Sequence, residues 1–128
     1  MSALTQGVRV SDLSSVVDAY LAVWNRTDAT ARREMVEGVW SEEGRYVDPL
    51  VDVRGWAGVD RVVAQAQARF TGMRFVRGEV FEEHHNVARF SWELIPAAGA
   101  EAIVVGFDVA VVDDDGRLAA VYGFLDRY

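Results

Sequence analysis

The chain has no cysteine, which excludes disulfides, zinc knuckles, iron–sulfur clusters and a thiol nucleophile. It has no lysine either. All 13 basic residues are arginine, so neither a Schiff-base nor a P-loop lysine is available. Positive charge is outnumbered by 20 acidic residues, giving a net charge of −7. That balance argues against nucleic acid and anionic membranes, which require a basic face to displace counterions. No apolar run reaches the roughly 20 residues of a membrane helix. Residues 1–10 lack the basic-then-apolar order of a signal peptide, so the expected location is the cytoplasm.

What is present has the composition of a globular protein. Of 128 residues, 51% are hydrophobic and 26% charged, and that length suits one domain spanning 1–128. Its first half carries helical periodicity. Leu13, Val17, Tyr20 and Trp24 draw one stripe along a first helix, with Ser11 or Asp12 as its expected N-cap and an end near Asn25 to Asp28. Thr27 or Asp28 can cap a second helix to about Trp40, with Met35, Val39 and Trp40 inward. Asp48-Pro49 is a stop that pushes Arg45 to Asp48 into a short extended segment. Gly55 and Gly58 bracket a turn before a third helix, whose inner face is Val59, Val62, Val63, Ala66 and Phe70 and whose expected C-terminal cap is Gly72.

From Met73 the period falls to about two. Four strands are expected: Met73 to Glu83, Val87 to Ile95, Ala102 to Val112 and Leu118 to Arg127. Turn chemistry at Asn86, at Pro96 to Gly99 and at Asp113 to Gly116 separates them. Helices first and antiparallel strands after define an α+β class, with helices on one face of a curled sheet around an apolar pocket.

Three polar residues break this apolar pattern. Asp108 sits alone in the apolar strand from Ile103 to Val112, where a buried carboxyl must find a partner or keep its proton. A structural aspartate bonded to a backbone amide or an arginine is the competing explanation. Tyr20 lies on the inward stripe of the first helix, where packing alone would also account for it. Asp48 precedes a proline, a common turn position. His84 and His85 adjoin Glu82 and Glu83, but neighbours on a strand face opposite ways, so the pair cannot jointly hold a metal. Trp24, Phe70, Phe90 and Trp92 are core candidates and also candidates for lining a cavity. Phe90, Trp92 and Leu94 share one strand face, and Arg89, Ser91 and Glu93 the other, which is left to solvent or a dimer contact.

Order and spacing then carry a resemblance across about Val16 to Asp126. It runs through Tyr20-Leu21-Ala22-Val23-Trp24-Asn25, Tyr46-Val47-Asp48-Pro49, Gly55, Glu83-His84-His85, Arg89-Phe90-Ser91-Trp92, Gly106-Phe107-Asp108, Asp115-Gly116-Arg117 and Val121-Tyr122-Gly123-Phe124. The chain resembles the NTF2-like superfamily, within it the SnoaL-like proteins and the ketosteroid isomerases. The resemblance implies a cone-shaped α+β barrel, helices on a strongly curved and mainly antiparallel sheet, a deep pocket and a homodimer. It also implies that Asp48 is a base while Tyr20 and a protonated Asp108 donate to a carbonyl oxygen, as in the ketosteroid isomerases, where an apolar site keeps an aspartic acid neutral. The implied reaction is cofactor-free enolisation of a small hydrophobic carbonyl compound, leading to isomerisation or cyclisation, with Trp24, Phe70, Phe90 and Trp92 around the ligand. A non-catalytic ligand-binding or dimerisation module is the alternative, and a dehydratase using His84 or His85 a third. Trp24 and Trp92 leave less room than a steroid needs. Gly106 stands where related epoxide hydrolases carry an arginine, which disfavours that chemistry.

Overall fold

Among the described residues nine elements follow one another as α1 (Ala3–Asn25), α2 (Ala29–Val39), β1 (Trp40–Val47), β2 (Asp52–Arg54), α3 (Trp56–Arg69), β3 (Arg74–His84), β4 (Val87–Ile95), β5 (Val104–Val112) and β6 (Leu118–Arg127). This is a computed structural model, describing residues 3–97, 99 and 101–128, with side chains from Leu13 onward. The six strands form one open sheet in the order β2-β1-β6-β5-β4-β3. Every neighbouring pair is antiparallel except β1 and β6, which run parallel. The helices cover one face, and the expected α+β architecture is the one observed.

Helix α1 buries the expected stripe of Leu13, Val17, Tyr20 and Trp24, and Leu21 and Val23 with it. Its start corrects the expectation. The helix begins at Ala3, so Ser11 and Asp12 lie within it instead of capping it; no proline upstream stops it there. The side chains of those two residues fall outside the described set. At the other end, the Asn25 amide mimics a strand partner: Nδ2 donates to the Phe75 carbonyl at 2.8 Å, and the Phe75 N–H donates to Oδ1 at 2.7 Å. Asp28 caps α2, accepting the Ala31 N–H at 2.9 Å. Arg32 on α2 is buried, donating to Asp60 Oδ1 and Gln67 Oε1 of α3. The Gln67 amide in turn donates to the carbonyls of Trp24 and Arg26, so one polar cluster ties the three helices together.

Trp40 is the first residue of β1 and not the last of a helix, and that strand is longer than the Arg45 to Asp48 segment expected. A glycine explains the path. A Cβ at Gly44 would lie 2.7 Å from Trp40 Cε3, so the indole folds back over Gly44 and into the core. The ladder to β6 slips between Trp40 and Arg45 at this point. Strand β2 lies outside the expected set, since three residues carry too little periodicity to register. Gly58 lies inside α3 and does not close the turn before it; a Cβ there would come 3.2 Å from Val53 Cβ, so it permits close helix–strand packing. Phe70 caps α3 with non-helical φ −116 and ψ 49, which takes it off the inward stripe, while Gly72 closes the following turn with φ +81. The last four strands match their expected positions to within two residues. Among the described residues no helix is long and apolar enough to cross a membrane.

Candidate active site

The parallel pairing of β1 with β6 builds the site. It sets Val47 beside Tyr122, and so delivers Asp48, just past the end of β1, alongside Gly123. From the other side β5 sets Asp108 opposite Gly123. A Cβ on Gly123 would lie 2.8 Å from Asp108 Oδ1 and 3.5 Å from Asp48 Cβ. Two acids 60 residues apart in sequence thus flank one bare glycine.

Asp108 is buried, with 2% of its surface exposed, and both its oxygens receive a donor. The Tyr20 hydroxyl donates to Oδ2 at 2.7 Å and the Trp92 indole N–H to Oδ1 at 3.1 Å. Loss of solvation pushes the Asp108 carboxyl up to about 6 against the lowering effect of those two bonds, and the Asp48 charge adds to the rise. The same burial, followed by the Asp108 charge, raises the Tyr20 phenol well above its ordinary range, so it stays protonated. Trp92 can lie where it does only because residue 106 is glycine: a Cβ there would meet indole atoms at 2.1 and 2.2 Å.

Asp48 is held by three donors. Oδ1 accepts the N–H groups of Leu50 at 2.8 Å and Val51 at 3.0 Å, and Oδ2 accepts the Tyr46 hydroxyl at 2.8 Å. Tyr46 is buried, and its phenol is raised by burial first and then by the charges of Asp108 and Asp48. Asp48 and Gly123 are half-buried, as are Trp92 and Tyr122. This edge is where solvent reaches Asp48, while Asp108 lies buried behind it.

Rings fill the space behind. Phe90 stands 5.8 Å from Tyr20, and Trp24 stands 6.2 Å from Tyr20 and 5.6 Å from Tyr46. Trp92 and Trp24 both meet Phe75, at 5.5 and 5.3 Å. Phe70 lies apart from this cluster, at the end of α3 with the Arg69 guanidinium 5.7 Å from its ring. A cleft of about 310 Å³ lies between α1, the end of α2 and the β5–β6 turn, and one of about 240 Å³ beside Glu82 and His84. Neither is lined by Tyr20, Asp48 or Asp108. His84 and His85 are exposed on the β3–β4 turn, where His85 adopts φ +50 and the rings meet edge to face at 5.8 Å. No group of three or more metal-ligating side chains occurs among the described residues. Ser91, expected on the outer face, is buried because β3 bulges over it at Gly78 and the Val80 N–H donates to its hydroxyl at 3.1 Å.

Sequence reasoning gave Tyr46 no role of its own, although a residue two before Asp48 on a strand shares its side. Gly106 and Gly123 carried a further signal, since glycine inside a strand marks close approach.

An open, bent sheet with helices on one face and polar groups on its inner side is the NTF2-like class of α+β cone. Within that class the chain belongs to the SnoaL-like domain family, which matches residues 17–121. Among solved structures it is similar to a candidate isomerase of the SnoaL-like family from Agrobacterium tumefaciens, with 39% identity, TM-score 0.83, and coverage of 88% of this chain and 95% of that one. An NTF2-like protein of unknown function from Exiguobacterium shares the fold at 19% identity and TM-score 0.69, over 88% and 99% of the two chains. So does a candidate SnoaL-like polyketide cyclase from Jannaschia, at 14% identity and TM-score 0.67, over 88% and 86%. No curated protein matches the chain.

Proposed function

We propose that the chain enolises a small hydrophobic carbonyl compound without a cofactor, and so acts as an isomerase or cyclase. Asp48 takes the proton from the carbon next to the carbonyl, and the Tyr20–Asp108 pair donates to the developing oxyanion. The observation that carries this reading is the placement of both acids around Gly123. Proton counting supports the division of labour. With Asp108 ionised, the pair holds a single proton, committed to the bond from Tyr20 to Oδ2. With Asp108 protonated it holds two, and one is free for a ligand oxygen. A carboxyl raised to about 6 supplies that second proton more readily than an ordinary aspartic acid. Trp24, Phe90 and Trp92 form the apolar surround on this reading. Phe70, at the end of α3 against Arg69, takes no part in it. The ligand enters at the half-buried edge formed by Asp48, Gly123 and Trp92.

The probe is cyclohex-3-enone, whose conversion to the conjugated enone moves one proton from C2 to C4 and is followed by ultraviolet absorbance. The protein should accelerate it, and Asp48→Asn should cut turnover about 10²–10⁴-fold while leaving circular dichroism unchanged. Turnover by Asp48→Asn equal to wild type would sink the assignment of the base. The alternative is a module that binds without chemistry, and one observation favours it: Tyr20 and Asp108 are at most 3% exposed and satisfy each other. On that reading apolar ligands raise the melting temperature and are recovered unchanged, so recovery of conjugated enone excludes it. The homodimer belongs to the same proposal, with the second copy on the sheet face opposite Asp108.

A further inference from the structure

We propose that Tyr46 is a positioning residue that sets which lone pair of Asp48 receives the proton; the inference rests on the reading of Asp48 as the base. A carboxylate offers two lone pairs on each oxygen. Both on Oδ1 are taken, by the Leu50 and Val51 N–H groups at 2.8 and 3.0 Å. On Oδ2 one is taken by the Tyr46 hydroxyl at 2.8 Å, which leaves a single open position. The two amides belong to the turn itself and move with Asp48. Tyr46 does not. It sits inside β1, is 5% exposed, and its ring is packed against Trp24 at 5.6 Å and Trp40 at 6.4 Å.

Among the described residues, the phenol is therefore the one fixed point outside the turn against which the carboxylate plane is set. With that anchor, the free lone pair of Oδ2 keeps one direction before ligand arrives, which is the preorganisation a proton transfer needs. Without it, the carboxyl can rotate about its bond to Cβ, limited only by the two turn amides. Tyr46 does not itself receive the proton, because a phenol that keeps its hydrogen, here donated to Oδ2, is no base.

Tyr46→Phe removes the hydroxyl and keeps the ring. Loss of a hydrogen bond to a charged group should lower kcat for cyclohex-3-enone about 10-fold to 100-fold, with KM within about twofold. Equal loss in KM, or no loss in either, would overturn the role. A crystal structure of Tyr46→Phe gives a readout that needs no turnover. The Asp48 carboxyl should rotate from its wild-type plane or occupy two orientations; if it keeps its place with the phenol gone, Tyr46 does not position it. Asp48→Asn, assayed in parallel, separates the two claims. An active Asp48→Asn removes the base, while the crystal structure still decides whether Tyr46 orients that side chain.

Discussion

Asp108 has two donors and one charge to manage, and its protonation sets a sign that can be measured. Burial raises its carboxyl from 3.8 to about 6, so between those pH values this group binds more proton in the folded chain than in the unfolded one. The stability this confers is complete below 3.8 and is lost as pH rises through about 6, an effect of about 2–3 kcal/mol between pH 4 and 7. Asp108→Asn cannot titrate. It has its own defect, because an amide nitrogen accepts nothing, and either the Tyr20 O–H or the Trp92 N–H must then face it. One unpaired buried donor costs about 1–3 kcal/mol. The variant should thus be less stable than wild type at pH 4 and draw level by pH 7, as read from urea unfolding at both values. Differences between the two proteins cancel the opposite behaviour of Asp52 and Asp113, whose carboxyls are held below their usual range. A gap that stays constant from pH 4 to 7 would mean that Asp108 is not protonated in the folded chain in this range. As for legibility, a lone acid in an apolar strand announced Asp108, and a phenol on an inward stripe announced Tyr20. Their bond spans 88 positions and was legible only through resemblance.

At the scale of elements, long periodic segments were readable and short or glycine-shaped ones were not. Strands β3 to β6 run over nine to eleven residues, long enough for a period near two to register, although only β5 alternates cleanly and the β3 bulge buries Ser91 against that pattern. Strand β1 is shaped by Gly44 and β2 has three residues, so neither shows a period. These two strands deliver Asp48 to its place, so the site's geometry depended on the least legible part of the chain. Glycine roles also sort by element. Gly106 in β5 is a slot for the Trp92 indole, and Gly38 near the end of α2 has open space where a Cβ would go. Gly106→Ala should lower stability by about 1–3 kcal/mol through overpacking and break the Trp92 bond to Asp108. Gly38→Ala should raise it by about 0.5–1 kcal/mol, because alanine loses less backbone freedom in a helix. Opposite shifts in the urea midpoint are the expected result. Equal shifts would show that the indole does not rest on residue 106.

For the molecule as a whole, the two sides of the sheet differ in what covers them. Helices and rings close the inner side, while on the outer side of β5 and β6 Phe107 pairs with Phe124 and Val109 with Tyr122. Phe124 is 58% exposed, though the outer positions around it are half-buried. Two arginines border this patch, Arg89 at 5.3 Å from the Phe107 ring and Arg45 at 5.9 Å from Tyr122. In a chain of net charge −7 they place positive charge where two copies would otherwise repel. A second copy laid on this face would bury Phe124 against apolar side chains, and a stable interface of this kind removes about 1,200–2,000 Å² in total from water. Light scattering on the purified chain should therefore give twice the monomer mass. Phe124→Asp sets a carboxylate at the centre of the buried face, where an unpaired charge costs several kcal/mol, and should return the mass to that of one chain with the fold unchanged. If wild type elutes with the mass of one chain at tens of micromolar, the outer face does not join two copies, and the exposed Phe124 needs another explanation.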